Sequence, residues 1–120
     1  MNSYMMRWRT LFAAAVALAV AAIALAANDD EARFLAENQA AMSKMMAAMA
    51  IRPSGDVDRD FVAAMVPHHQ GAIEMAQAEL RHGRNEQLRR IAQEIIIDQT
   101  QEIAAMHLAL GQAVPRESQK

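Results

Sequence analysis

The sequence predicts an all-α protein, a bundle of three helices that follows an N-terminal signal or anchor segment. Three observations predict it. The 120 residues are rich in alanine, glutamine and methionine, with 10 Met, while Gly (4), Pro (3) and aromatic residues (4%) are scarce. Such a composition favours helix and gives a strand-rich sandwich little to build on. Beyond residue 28, apolar positions recur at helical spacing in three segments. Two clusters of breakers, Arg52-Pro53-Ser54-Gly55 and Gly83-Arg84-Asn85, separate those segments.

The N-terminal segment, residues 1–27, has its own logic. Arg7 and Arg9 form a short basic region, and an uninterrupted apolar run of 17 residues, ten of them alanine, extends from Leu11 to Ala27. Ala24-Leu25-Ala26 places small residues where a signal peptidase reads, and Asp29, Asp30 and Glu31 follow. Basic flank, apolar run and A-x-A together are the pattern of a secretory signal peptide. An uncleaved membrane anchor is the alternative, although the run is short for a full span of about 20 residues and alanine is only weakly hydrophobic. A buried core helix fits less well, because the run has no polar face. Either of the first two readings implies export, to a periplasm or to the cell exterior.

The body is expected to run over residues 28–115 as one domain, with Arg116–Lys120 as a polar tail. Its first helix is expected from about Asp30 to Ile51. Phe34, Asn38, Met42, Met45 and Met49 recur along it, with an overlapping row of Leu35, Met42, Met46 and Met49. The second is expected to start at Asp56, a good N-cap, with Asp58 and Asp60 beside the positive end of the helix dipole. It ends near His82, with Gly83 as the C′ residue. Phe61, Met65, His68, Ala72, Met75 and Glu79 form one seam, with Val62, Val66, His69, Ile73, Ala76 and Leu80 beside it, so each histidine falls inside an apolar face. Pro67 is interior to this helix and is expected to kink it, aiming the two histidines toward one point. The third helix is expected from Asn85 or Glu86 to Leu110, with Gly111 and Pro115 ending it and a seam of Leu88, Ala92, Ile95, Gln99, Glu102 and Met106. The tight turn at Gly83-Arg84-Asn85 makes the second and third helices an antiparallel hairpin, which the first packs across. Three helices bury a modest core, and a homodimer completing a four-helix or larger bundle is the expected way to enlarge it.

Composition also excludes functions. The net charge is −2, and removal of Arg7 and Arg9 with the leader leaves 10 basic against 14 acidic residues. No basic face is available for nucleic acid. The chain has no cysteine, so neither a disulfide framework nor thiolate metal ligation exists. Among catalytic signatures there is no H-E-x-x-H, no glycine-rich phosphate loop and no G-x-S-x-G, and an enzyme is not expected. Glu79-Leu80-Arg81-His82 supplies an E-x-x-H once, where a di-iron carboxylate bundle needs it twice with two further glutamates.

The remaining chemistry lies at Met65, His68, His69 and Met75. Met65 stands three and four residues before the histidines, so the three can converge. Thioether and imidazole together suit copper, Cu(I) more than Cu(II), and soft-metal chemistry in a cysteine-free chain has no other donors. Pairing the hairpin about residue 84 sets Gln99 and Glu102 opposite the histidines, with Met106 one turn further. Glu102 then either orients an imidazole by accepting its second N–H or ligates directly. The alternative is a polar network without metal, the histidines being hydrogen-bonded to Gln99 and Glu102. Met42, Met45, Met46 and Met49 are either a second soft-metal surface or core filling. His82 and His107 are read as incidental.

The stretch Phe61 to Ala76, read as F-x-x-x-M-x-P-H-H-x-x-A-I-x-M-A, resembles the signature of the bacterial DUF305 family, and Ile95-Ile96-Ile97-Asp98-Gln99-x-x-Glu102-Ile103-x-x-Met106 resembles its second motif. The resemblance covers about residues 31–110. It implies a ferritin-like helical bundle, export, and copper binding of the CopM-like periplasmic kind through methionine and histidine. A copper-delivery protein is a partner expected of a chain that hands copper on. By position it carries the metal role to Met65, His68, His69, Met75 and Met106, and matches Met42, Met46 and Met49 to the family's methionine-rich N-terminal helix. The chain departs from the pattern after Met106, where Leu108-Ala109-Leu110 stands in place of an aromatic residue.

Overall fold

The computed structural model of the chain describes residues 3–114. Three helices make up the fold: α1 Ser3–Met49, α2 Val57–His82 and α3 Glu86–Ala109. The expected all-α architecture is therefore present. The tail Arg116–Lys120 lies outside the described residues.

The leader and the first body helix, expected as separate elements, are one helix of 47 residues. No glycine or proline interrupts residues 3–49, and Ala27-Asn28-Asp29 contains no residue that forbids helical dihedrals. The chain nevertheless divides within α1 into two compact units, Met1–Ala32 and Arg33–Lys120. In the first unit the apolar run is long and apolar enough to cross a membrane, and Leu11, Phe12, Leu18, Ile23 and Leu25 are all exposed.

The second unit holds α1 from Arg33 onward, α2 and α3. Gly55, with φ +84°, turns the chain between α1 and α2. Asp56 then caps α2, its side chain accepting from the backbone N–H of Asp58 (3.0 Å) and Arg59 (3.1 Å). Asn85 caps α3 in the same way through Gln87 and Leu88. α2 runs unbroken through Pro67.

Gly83 ends α2 with φ −73°, so it is not the left-handed C′ residue that its position suggests. Its need is for space: its N–H donates to the Glu79 carbonyl at 2.7 Å, and a Cβ there would stand 2.7 Å from that same oxygen. Arg89 closes the hairpin from the α3 side by donating to the carbonyls of Leu80 (2.6 Å) and Gly83 (3.1 Å), groups with no helical donor. Gly111, with φ +67°, terminates α3.

α2 and α3 pack as the antiparallel hairpin that the short turn dictates. α1 runs antiparallel to α2, because Glu37 meets Arg81 and His82 while Lys44 meets Glu74. The core between the elements is small-residue packing: Ala41, Met45, Val62, Ile73, Ala76, Ala78, Ala92 and Ile103 are buried, together with His69. Alanines let the helices approach closely, and at Gly71 the approach needs glycine. A Cβ there would lie 2.7 Å from Met45 Sδ and 2.9 Å from Met45 Cβ.

Candidate functional site

The helical turn Met65–His69 places two histidines about 100° apart around α2, and their environments differ sharply. His69 faces α3 and is buried, whereas His68 is exposed. The reading that both histidines lie within an apolar face is thus corrected for His68. The buried face of α2 is too narrow to take two consecutive side chains. The rings sit edge to face, with centroids 5.9 Å apart.

His69 is held at both nitrogens. Nδ1 lies 2.8 Å from the carbonyl of Met65, one turn back, and Nε2 lies 2.7 Å from Glu102 Oε2 on α3. A carbonyl and a carboxylate are both acceptors, and which of them takes the ring's N–H depends on the tautomer. Glu102 receives a second donor on the same oxygen, Gln99 Nε2 at 3.4 Å. Glu102 remains more than half exposed, so its outer face stays hydrated while its inner oxygen anchors the ring. The antiparallel hairpin sets this register, as the spacing about residue 84 predicts.

The other expected site residues scatter. Met65 and Met106 are half-buried, and Met106 follows Glu102 by one turn on α3. Met75 turns into an apolar groove toward the hairpin's closed end, with Ala72, Ala76, Leu88, Ile91, Ala92 and Ile95. On α1, Met42 and Met46 are exposed and Met49 half-buried. Met45 is the methionine that docks on α2, beside Pro67, Gln70 and Gly71. Among the described residues, no group of three or more His, Asp or Glu side chains is gathered as metal ligands. His68 is the imidazole free of the Glu102 contact.

Sequence reasoning missed a second cluster. Arg81 donates to Glu37 through Nε at 2.9 Å and through Nη2, and His82 Nε2–H donates to the other oxygen at 2.9 Å. These bonds, His82's first and Arg81's second, hold the Glu37 carboxyl below its ordinary value of 4.5. His82, read as incidental, thus joins α1 to α2. His107, the other histidine so read, faces Gln112 at 2.8 Å where α3 ends. The helix-interior Gly71 was a legible sign of close approach; the Glu37 cluster had no local sign.

These features define an all-α protein with a histidine–carboxylate pair bridging a helical hairpin. Residues 3–110 match the model of a family described as a domain of unknown function, DUF305. The chain belongs to the DUF305 family. No protein of curated function and no solved structure shows significant similarity to it.

Proposed function

We propose that this is an exported, non-catalytic copper-binding protein that sequesters copper or hands it to a delivery partner. The observation that carries the reading is the pairing of an exposed imidazole, His68, with an adjacent imidazole, His69, fixed by Glu102. A metal needs a donor that is accessible and another part of the site that does not move, and the two histidines divide those tasks. Met65 shares a helix face with His68 at i+3 and supplies a thioether; Met106 stands one turn beyond Glu102. The donors are soft, which favours Cu(I) over Cu(II), and the chain has no thiolate that would draw Zn(II). The exposed thioethers of Met42 and Met46, with Met49 nearby in sequence, offer a second soft surface on α1. Residues 11–27 support export, as a signal peptide or as an anchor facing the periplasm.

Anaerobic Cu(I) titration in competition with a chelator tests the proposal. The expected result is binding tighter than about micromolar in the parent and weakened at least tenfold, roughly 1.4 kcal/mol, in His68→Ala. Binding no tighter than micromolar, or a His68→Ala variant that behaves as the parent, overturns it.

A second reading is favoured by the double anchoring of His69: a structural or interaction module whose His69–Glu102 pair serves only stability. It expects no metal-dependent rise in melting temperature. A rise present in the parent and absent from the His68→Ala/His69→Ala variant counts against it.

A further inference from the structure

The hairpin carries a groove of about 330 Å³ that no part of α1 lines. Its walls are apolar: Ala72, Met75 and Ala76 of α2, and Leu88, Ile91 and Ile95 of α3. One residue of the lining is charged, Glu79. From Leu88 to Ile95 the groove runs about 10 Å along α3. Those dimensions are those of a small-molecule site.

Glu79 sets this groove apart. The half-buried carboxylates of the second unit are Glu37, Asp60, Glu74 and Glu79. Glu37 accepts from Arg81 and His82, Asp60 from the Ser54 N–H, and Glu74 from Lys44. Glu79 has no hydrogen bond or ion pair among the described residues. A partly desolvated carboxylate without a donor is costly. Arg89 on α3 donates to the carbonyls of Leu80 and Gly83 instead. The hairpin turn fixes where the carboxylate stands, because Glu79 Oε1 occupies the space that a Cβ at Gly83 would take. It lies at the closed end of the hairpin, and apolar surface runs away from it toward Ala72 and Ile95.

We propose that the groove binds a small organic ammonium ion, its apolar body along Met75, Ile91 and Ile95 and its N–H groups donating to Glu79. The walls take a hydrocarbon or aryl body, and the carboxylate takes the cation and gains the donor it lacks. A neutral molecule of the same shape brings no charge to the carboxylate, and an anion meets it with like charge. α1 docks on a different side of α2, where Met45 covers Gly71, so the ligand displaces no helix. The site uses neither His68 nor His69 and needs no metal, so its failure and that of the copper reading are separately visible.

Met75 supplies a signal from inside the groove. The full chain is isotope-labelled at its methionine methyl groups, reconstituted in lipid nanodiscs with a chelator present, and titrated with phenylbutylammonium, phenylbutanol and phenylbutanoate. The three probes share one body and differ in charge. The Met75 methyl resonance, identified with Met75→Leu, is expected to shift and saturate with the ammonium, while those of Met42 and Met46 on α1 stay in place. The ammonium is expected to bind at least about tenfold more tightly than the alcohol, and the carboxylate to bind more weakly than either. Glu79→Gln is expected to bring the ammonium and the alcohol within about twofold of each other. The proposal is overturned by a Met75 resonance that does not move at about 5 mM ammonium, by an alcohol or a carboxylate that binds as tightly, or by a Glu79→Gln variant that keeps the preference for the cation. The three-probe comparison in the parent needs no variant, and helical circular dichroism of Glu79→Gln separates loss of the site from loss of fold.

Discussion

Glu102 and His69 meet across the α2–α3 interface at 2.7 Å, and the same ring is fixed from behind by the Met65 carbonyl at 2.8 Å. Both nitrogens of the buried ring thus face an acceptor, and its neighbour His68 has its surface in water. Adjacent residues of one type are expected to respond differently to the same substitution. His69→Ala removes the buried ring and both contacts and is expected to lower stability by about 1–3 kcal/mol. His68→Ala is expected to change it by less than about 0.5 kcal/mol. Glu102→Gln keeps an acceptor for the Nε2–H and is expected to fall between them. Urea denaturation of the three metal-free variants measures this. Equal losses from the two histidine substitutions would refute the division of roles.

Gly71 and Met45 form a close approach between α1 and α2. A methyl group at Gly71 meets Met45 Sδ at 2.7 Å, Cβ at 2.9 Å and Cγ at 3.0 Å. The thioether end can swing away, but Met45 Cβ moves only with the α1 backbone. Gly71→Ala is expected to destabilise by about 1–3 kcal/mol despite alanine's better helix propensity. Met45→Ala in the same chain is expected to relieve only part of the loss, because Cβ remains. A double-mutant cycle gives the coupling. A stabilising Gly71→Ala would show that α1 does not press on α2 at this point.

The start of α2 depends on a short run of side-chain to backbone bonds. Asp56 accepts from two N–H groups, and Asp60 accepts from the Ser54 N–H at 2.9 Å, tying the turn to the first helical turn. Asp56→Ala is expected to cost about 1 kcal/mol and Asp56→Asn much less, since asparagine caps equally well. Thermal unfolding of both variants checks the order; equal effects would assign the loss to charge instead of capping.

The parts of this fold that were legible in the sequence are those fixed by neighbouring residues. Asp56, Asn85 and Gly111 announce helix ends through their own local chemistry. The His69–Glu102 contact followed from the short turn at 83–85, which leaves an antiparallel hairpin little choice of register. The docking of α1 was not legible. Glu37, Lys44 and Met45 find partners 44, 30 and 26 residues away, and nothing near them in sequence sets that register. The continuity of α1 was missed for another reason. Asp29 and Asp30 end the apolar run, but a change of polarity is not a helix break. His68 was placed inside because it falls on an apolar stripe; a stripe does not say which of two adjacent residues the partner helix covers.

Glu37 provides a prediction in pH. Its carboxyl is held below the ordinary 4.5 by the His82 hydrogen bond and, after it, by Arg81. A carboxyl whose pKa is lower in the folded chain contributes stability above its unfolded value, and the contribution is lost as pH falls through the folded value. The parent is therefore expected to lose stability on acidification from the ordinary carboxylate value downward. Glu37→Gln is expected to be less stable at neutral pH and to have a shallower acid dependence over the same interval. The size of the effect is limited because the carboxylate is open to solvent, where ion pairs are screened. Melting temperatures of the two proteins between about pH 6 and about pH 3, at low and high salt, give the comparison, with the difference expected to shrink in salt. Parallel curves for parent and Glu37→Gln would mean that the contact joining α1 to the end of α2 does not contribute to the acid stability of the fold.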